Sequence, residues 1–487
     1  MAIILFAVAI LLLWLAGLGL YFLLTRETKQ SCVYEMTGVS FLLGTTFIAL
    51  GSLLTSFFLT SILSRVFLTM SCLGLGGYGV AQAIQKNKLR VSEAGKRRWK
   101  FLPVVILLAQ IFFVGWLGTR TTLSWDGLFN WEMKAKVFYE QGGISKRLLQ
   151  SEALAWAHVG YPPLMPLNQA WIYAWLGAAN QNAGKMFCVI FYAIAALILL
   201  SRSPDFSGVQ KFNYACLMFG IPLIWLGDGS ATSGHADFPL AVFYLGAAKL
   251  LNEFVQTGER NRLKLLGAVS AGLVFVKQDS IVLLLTLMIV LALVLVTRRV
   301  SYRWNLVLLP AALLYCLWKL SMRLLSPYFG QDFQLTSDSS WQFLLARSKA
   351  VSHFFFWELL NPLHWGALWL VFFVLLGIRA AMLLFAGLHK REKNWRELVQ
   401  INESSLSAWI LALLVLLPMS GDFLLYLFIG TSAGWLTLDY WLNSSAARLL
   451  LQISLVALLS IQGLAKLPRI ELSPLSHPSD RPNHPHR

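Results

Sequence analysis

The chain has 487 residues, of which 57% are hydrophobic and only 13% charged, with mean hydropathy +0.63. Soluble domains carry about a quarter charged residues, so this share excludes an ordinary soluble protein and indicates an integral membrane protein. The formal net charge of +17 would suggest a nucleic-acid partner in a soluble chain. Here most basic residues sit in short clusters between apolar runs, which is a topology signal, and no nucleic-acid motif accompanies them.

The opening run, MAIILFAVAILLLWLAGLGLYFLL, has no basic residues ahead of it and is long for a signal-peptide core, so it reads as a retained first span. Further apolar runs follow at roughly 37–60, 64–85, 101–119, 184–201, 212–228, 238–255, 260–277, 279–297, 304–325, 365–388, 406–430 and 447–466. The expected architecture is therefore all-α and polytopic, with about 13 transmembrane helices. Alternation then puts the basic clusters at 26–29, 86–100, 260–264, 298–303 and 389–396 on one side, the cytoplasm. The N-terminus would lie outside and the C-terminus inside, in a multi-pass protein of the cell (inner) membrane.

Tyr161–Gly177 is apolar but short and opens on two prolines. Counted as a crossing it would split the basic clusters between the two faces, so a half-inserted or surface-lying helix is expected. Two long loops, about 120–183 and 326–364, become extracytoplasmic and are expected to carry short interfacial helices. Residues 467–487 form a Pro- and His-rich cytoplasmic tail expected to be disordered. Cys32, Cys72, Cys188, Cys216 and Cys316 have no metal or redox spacing and read as small hydrophobes.

In this threading the ionisable residues at the edges of the spans gather on one membrane face. Asp126, in SWDGLFNWEMKAK, is either a general base or the cap of the following helix. Trp125 and Trp131 beside it suit the headgroup level. Lys134 and Lys136 oppose the positive-inside bias; they either meet a phosphate or snorkel. His158 and Tyr161 precede the prolines and suit a polar ligand or the loop backbone better than a metal. Asp237 in GHADFP and the Lys277–Asp279 pair in VKQDS stand at span mouths, as functional groups or as an ion pair fixing helix packing. Arg448 offers a fork for phosphate oxygens, or snorkels. No nucleotide-binding loop, hydrolase elbow or zinc motif occurs, so no cofactor is expected; a divalent metal stays an open alternative.

Together these residues resemble the GT-C superfamily of membrane glycosyltransferases, in particular bacterial relatives of the protein O-mannosyltransferases and the lipid A aminoarabinose transferase. The resemblance rests on Asp126 in WDGLFNWEMKAK, the proline-led HVGYPPLMPL, Ala236 to Pro239, the KQDS turn, and WLNSSAARLLLQ from Trp441 to Gln452. It covers roughly residues 100–465, so 101–466 would be the catalytic core and 1–100 a set of helices outside it. Such relatives often have Asn-Glu-Gly where this chain has Gln278, Asp279 and Ser280, which puts the role of Asp279 in question. The resemblance implies an inverting transfer of a hexosyl or pentosyl group from a polyprenyl-phosphate donor to a glycan, lipid or protein acceptor, on the extracytoplasmic side. It implies Asp126 as base and Lys134, Lys277 and Arg448 as phosphate-binding residues. Glu132 joins Trp125, His158, Tyr161, Asp237 and Asp279 as a further site candidate. A transporter or flippase of a lipid-linked sugar is the alternative.

Overall fold

A helix that is apolar on every side has no face to turn to water and must be enclosed by protein or lipid. Helices of that kind dominate the computed structural model, which describes residues 1–25, 32–85, 101–144, 146–201, 208–298, 300–329, 336, 340–389, 403–430 and 437–465. The principal helices are α1 (Ala2–Leu24), α2 (Val33–Thr55), α3 (Ser61–Gln85), α4 (Phe101–Arg120), α5 (Met133–Gln141), α6 (Leu164–Leu176), α7 (Gln181–Leu200) and α8 (Gly208–Leu217). They continue with α9 (Asp237–Thr257), α10 (Arg260–Val276), α11 (Ser280–Thr297), α12 (Leu309–Leu325), α13 (Trp341–Leu359), α14 (Leu368–His389), α15 (Glu403–Phe428) and α16 (Leu438–Leu464). No strand occurs among the described residues.

Among the described residues ten helices are long and apolar enough to cross a membrane. Two of the expected spans differ locally. The expected span 212–228 is broken: α8 stops at Leu217, a 3-10 turn covers Met218–Gly220, and a single turn restarts at Pro222. Glycine and proline together interrupt the hydrogen-bond ladder there. Helix α10 has 17 residues and begins with Arg260, Arg262 and Lys264. Helix α14 runs for 22 residues, Leu368–His389. The basic clusters at 26–29, 86–100 and 390–396, and the tail 467–487, lie outside the described residues.

The proline-led segment forms α6, thirteen residues or about 20 Å, short of the roughly 30 Å of a hydrocarbon core. It is not surface-lying: residues 164–169 and 171–173 are all buried, and it packs against α1, α2, α5 and α7. The loop 326–364 holds more than a short interfacial helix, since α13 runs for 19 residues.

Helix α9 lies at the centre, its apolar window wholly buried, with α7, α10, α15 and α16 around it. By contrast α3, α4 and α12 are mostly exposed and turn residues such as Phe67, Phe112 and Leu324 outward, as lipid-facing helices do. The first three helices adhere closely to this assembly. Helix α2 packs on α6, α7 and α10, and Glu35 pairs with Arg262 across the boundary. Helices α1 and α2 meet at glycines, so their backbones nearly touch: a Cβ at Gly44 would run into the Leu13 carbonyl, and one at Gly17 into that of Ser40. Close approach through small residues is how helices gain contact where lipid offers no hydrophobic drive. Gly44→Ala is therefore expected to lower stability by about 1–3 kcal/mol through overpacking. Gly74→Ala, where a Cβ meets nothing within 4 Å, should be neutral; thermal unfolding in detergent checks the contrast.

Candidate functional site

Four separated segments bring their polar residues to the N-terminal end of α9. The first leaves α4 at Arg120 and is tied to the loop before α9: the Thr121 hydroxyl donates to the Thr232 carbonyl (3.3 Å), the Ser124 amide donates to Ser233 O (3.3 Å), and Ser124 Oγ bonds His235 Nε2. Asp126 follows, opening a π-helical turn, Gly127–Glu132. Such turns recur at functional sites because the extra residue re-aims side chains. Asp126 makes no side-chain cap bond, so the capping role is not realised. Instead Asn130 donates to its Oδ1 (3.1 Å) and Arg448 to its Oδ2 (2.7 Å).

Asp237, the first residue of α9, is the centre of the network and fully buried. Lys277 Nζ (2.8 Å) and Gln452 Nε2 (3.0 Å) donate to its Oδ1, while Arg448 Nε donates to Oδ2 at 3.1 Å and Nη2 lies 3.0 Å from it. Its place in the first helical turn adds the favourable end of the helix dipole. Lys277 and Asp279 come from the short link between α10 and α11, and Lys277 Nζ also pairs with Asp279 Oδ2 at 2.8 Å. Arg448 and Gln452 stand one turn apart on α16, which lets both reach the same carboxylate.

Depth separates the members. Asp237 is sealed, whereas the side chains of Asp126 and Asp279 keep 26% and 30% of their exposure and form an open rim. Three carboxylates thus face two permanent cations. Burial alone would raise the Asp126 carboxyl, but Arg448 and His235 outweigh it and hold it below the usual carboxylate range. Burial lowers His235 despite the neighbouring Asp237.

Asp126, Asp237, Lys277, Asp279 and Arg448 therefore meet. Four other expected residues sit beside them. Lys134 donates to the His158 carbonyl (2.8 Å) and lies over the rings of Trp131 and Tyr161. His158 has a left-handed backbone (φ 48°) and stacks on Tyr161 with centroids 4.8 Å apart. Tyr161 in turn lies within electrostatic reach of Lys277 and Arg448, so this group forms one wall of the site. Trp125 is 70% exposed and joins Phe129 and Trp156 in an aromatic patch next to Asp126.

Glu132 lies elsewhere. It is buried among Gln169, which donates at 2.8 Å, Tyr173 and Lys185. Burial pushes its carboxyl up to about 8 against the opposing pull of Tyr173 and Lys185. A folded-state value above the unfolded one adds stability that is complete below the unfolded value and lost as pH rises through the folded one. The protein should accordingly lose thermal stability between pH 5 and about pH 8, and Glu132→Gln should flatten that slope.

Sequence reasoning missed Ser124, His235 and Gln452, although all three stand inside quoted motifs. It also passed over Asp422 in LLPMSGDFLL, where an acid inside an apolar span was signal enough. Among the described residues no group of three His, Cys, Asp or Glu side chains could hold a metal ion, and all five cysteines are free. What the arrangement offers chemically is a preorganised, water-restricted set of two cations and three acids beside an exposed aromatic patch. No protein-family model, curated protein or solved structure matches this chain.

Proposed function

We propose that this protein is a membrane glycosyltransferase of the GT-C kind, moving a sugar from a polyprenyl-phosphate donor to an acceptor at the extracytoplasmic face. The observation that supports it most is the meeting of Asp126 with Arg448, Lys277, Asp237 and Asp279 from four chain segments at one end of the helix bundle. An acceptor hydroxyl attacks the anomeric carbon as the bond from that carbon to the phosphate oxygen breaks. The electron pair leaves with the phosphate, the hydroxyl proton passes to Asp126, and the configuration inverts.

The charge pattern adds a condition to this mechanism. Arg448 is engaged by Asp126 and Asp237, and an Asp126 so held is a weak base. A donor phosphate competes for the guanidinium, which matches paired phosphate oxygens well. As Arg448 turns to phosphate, Asp126 loses its counter-ion and gains basicity, so the base is switched on only when the donor is present. Lys277 and Arg448 then stabilise the departing phosphate, often the largest contribution in such reactions. No cofactor enters this reading, and a divalent cation would have to compete with both cations for the same carboxylates.

Incubating the purified protein with hexosyl and pentosyl polyprenyl phosphates tests the reading, through release of polyprenyl phosphate in an acceptor-containing extract. Cells lacking the protein should accumulate the matching lipid-linked sugar; absence of both effects would overturn it. Transport of a lipid-linked sugar is the second reading. It draws support from another buried charge cluster at the far end of α9, where Glu253 meets Arg262 (3.2 Å) and Lys249 (3.8 Å) and Arg262 also pairs with Glu35. Movement of the lipid across vesicles without phosphate release would favour transport.

A further inference from the structure

Five acidic side chains are buried among the described residues: Glu35, Glu132, Asp237, Glu253 and Asp422. The first four each have a partner: Arg262 for Glu35 and Glu253, Gln169 and Tyr173 for Glu132, and the network above for Asp237. Asp422 is 5% exposed and makes no hydrogen bond or ion pair with any described residue. Burying a carboxylate without a donor is costly, and such exceptions call for a reason.

Its orientation follows from the helix. Leu414, Pro418, Asp422 and Tyr426 are spaced by four along α15 and share one face. Both ends of that face are pinned to the core. Pro418 has no N–H to offer the Leu414 carbonyl, and the Tyr244 hydroxyl of α9 donates to it instead, at 2.6 Å. At the other end Tyr426 Oη bonds Ser445 Oγ of α16, at 2.7 Å. Asp422, held between them, is turned towards α9 and α16 and lies within electrostatic reach of Lys277 and Asp279. It stands six residues, about 9 Å, before the end of α15, and the Tyr426–Ser445 contact sets it level with the Arg448 turn of α16.

We propose that Asp422 is the inner wall of the substrate site and accepts hydrogen bonds from vicinal hydroxyls of the donor's sugar. This rests on the donor reading above. A carboxylate with both oxygens free suits a diol, which supplies two donors and brings no charge.

The test uses full-length protein in nanodiscs, titrated with sugar-free polyprenyl phosphate and with its hexosyl and pentosyl forms. Asp422→Leu should weaken binding of the preferred glycosylated lipid by about tenfold to a hundredfold, the scale of losing two hydrogen bonds. Sugar-free lipid should bind within about twofold of the unsubstituted protein, since its phosphate contacts are intact. Asp422→Asn, which keeps one acceptor oxygen, should fall between. Removing a buried acid that lacks a partner should not lower the unfolding temperature. Equal weakening of both lipids, no change in either, or a loss of thermal stability in both variants would overturn the assignment. If the unsubstituted protein binds neither lipid, the donor reading itself fails and takes this one with it.

Discussion

Asp126→Asn should reduce sugar transfer by about 10²-fold or more, the usual scale for loss of a general base, while the protein still folds. The asparagine keeps one oxygen facing Arg448 and one group facing Asn130, so the geometry of the π-helical turn survives. Since Asp126 makes no cap bond, the helix loses no terminal hydrogen bond in the exchange. What disappears is the capacity to take a proton. Initial rates with a glycosylated polyprenyl phosphate, beside a thermal unfolding curve, separate the two effects. A variant that transfers sugar normally would remove Asp126 from the chemistry, and one that unfolds would make its role structural.

The pH dependence of the same residue has a definite sign. Its folded-state carboxyl is depressed, so its contribution to stability is present above the unfolded value and lost as pH falls through the folded one. Stability from the Asp126–Arg448 pair should thus persist into mildly acid solution and fail only below the usual carboxylate range. The stability due to Glu132 runs the opposite way, lost progressively from about pH 5 up to about pH 8. Together they place the optimum between the two limits.

The helical, membrane-embedded class was legible because composition and run length report it directly. So was the convergence of Asp126, Asp237, Lys277, Asp279 and Arg448, since alternation of crossings puts span mouths on one face even without contacts. The local course of two spans was less legible. A window of hydropathy does not register that Gly220 and Pro222 break a helix, or that α10 opens on three basic residues. The partners of individual charges were not legible at all. Lys134, four residues after Asn130, turns to the His158 carbonyl, and Glu132 turns to Tyr173, because the π-helical turn rotates the residues after Asp126 away from the straight-helix register. Asp422 escaped notice because attention went to the edges of spans, whereas Pro418 and Tyr244 place it inside one.

The largest effect on stability is expected at Asp237. From sequence alone, Lys277 and Asp237 could be a simple ion pair, and replacing both by apolar residues would then restore a stable protein. The geometry predicts otherwise, because Asp237 serves Lys277, Arg448 and Gln452 at once, with His235 Nδ1 at 3.5 Å. Asp237→Leu strands a guanidinium edge and an amide in the interior, and losing one side of a buried charge pair costs about 3–5 kcal/mol. Lys277→Met should cost less, since Arg448 still neutralises Asp237, Gln452 still donates to it, and the rim residue Asp279 can reach water. The double variant, Lys277→Met with Asp237→Leu, should therefore remain close to the Asp237 single variant in unfolding temperature. Coupling within one network makes the effects non-additive, and the thermodynamic cycle of the four proteins measures it. A double variant as stable as the unsubstituted protein would reduce the network to an isolated pair, and Arg448 and Gln452 would then have no structural need of Asp237.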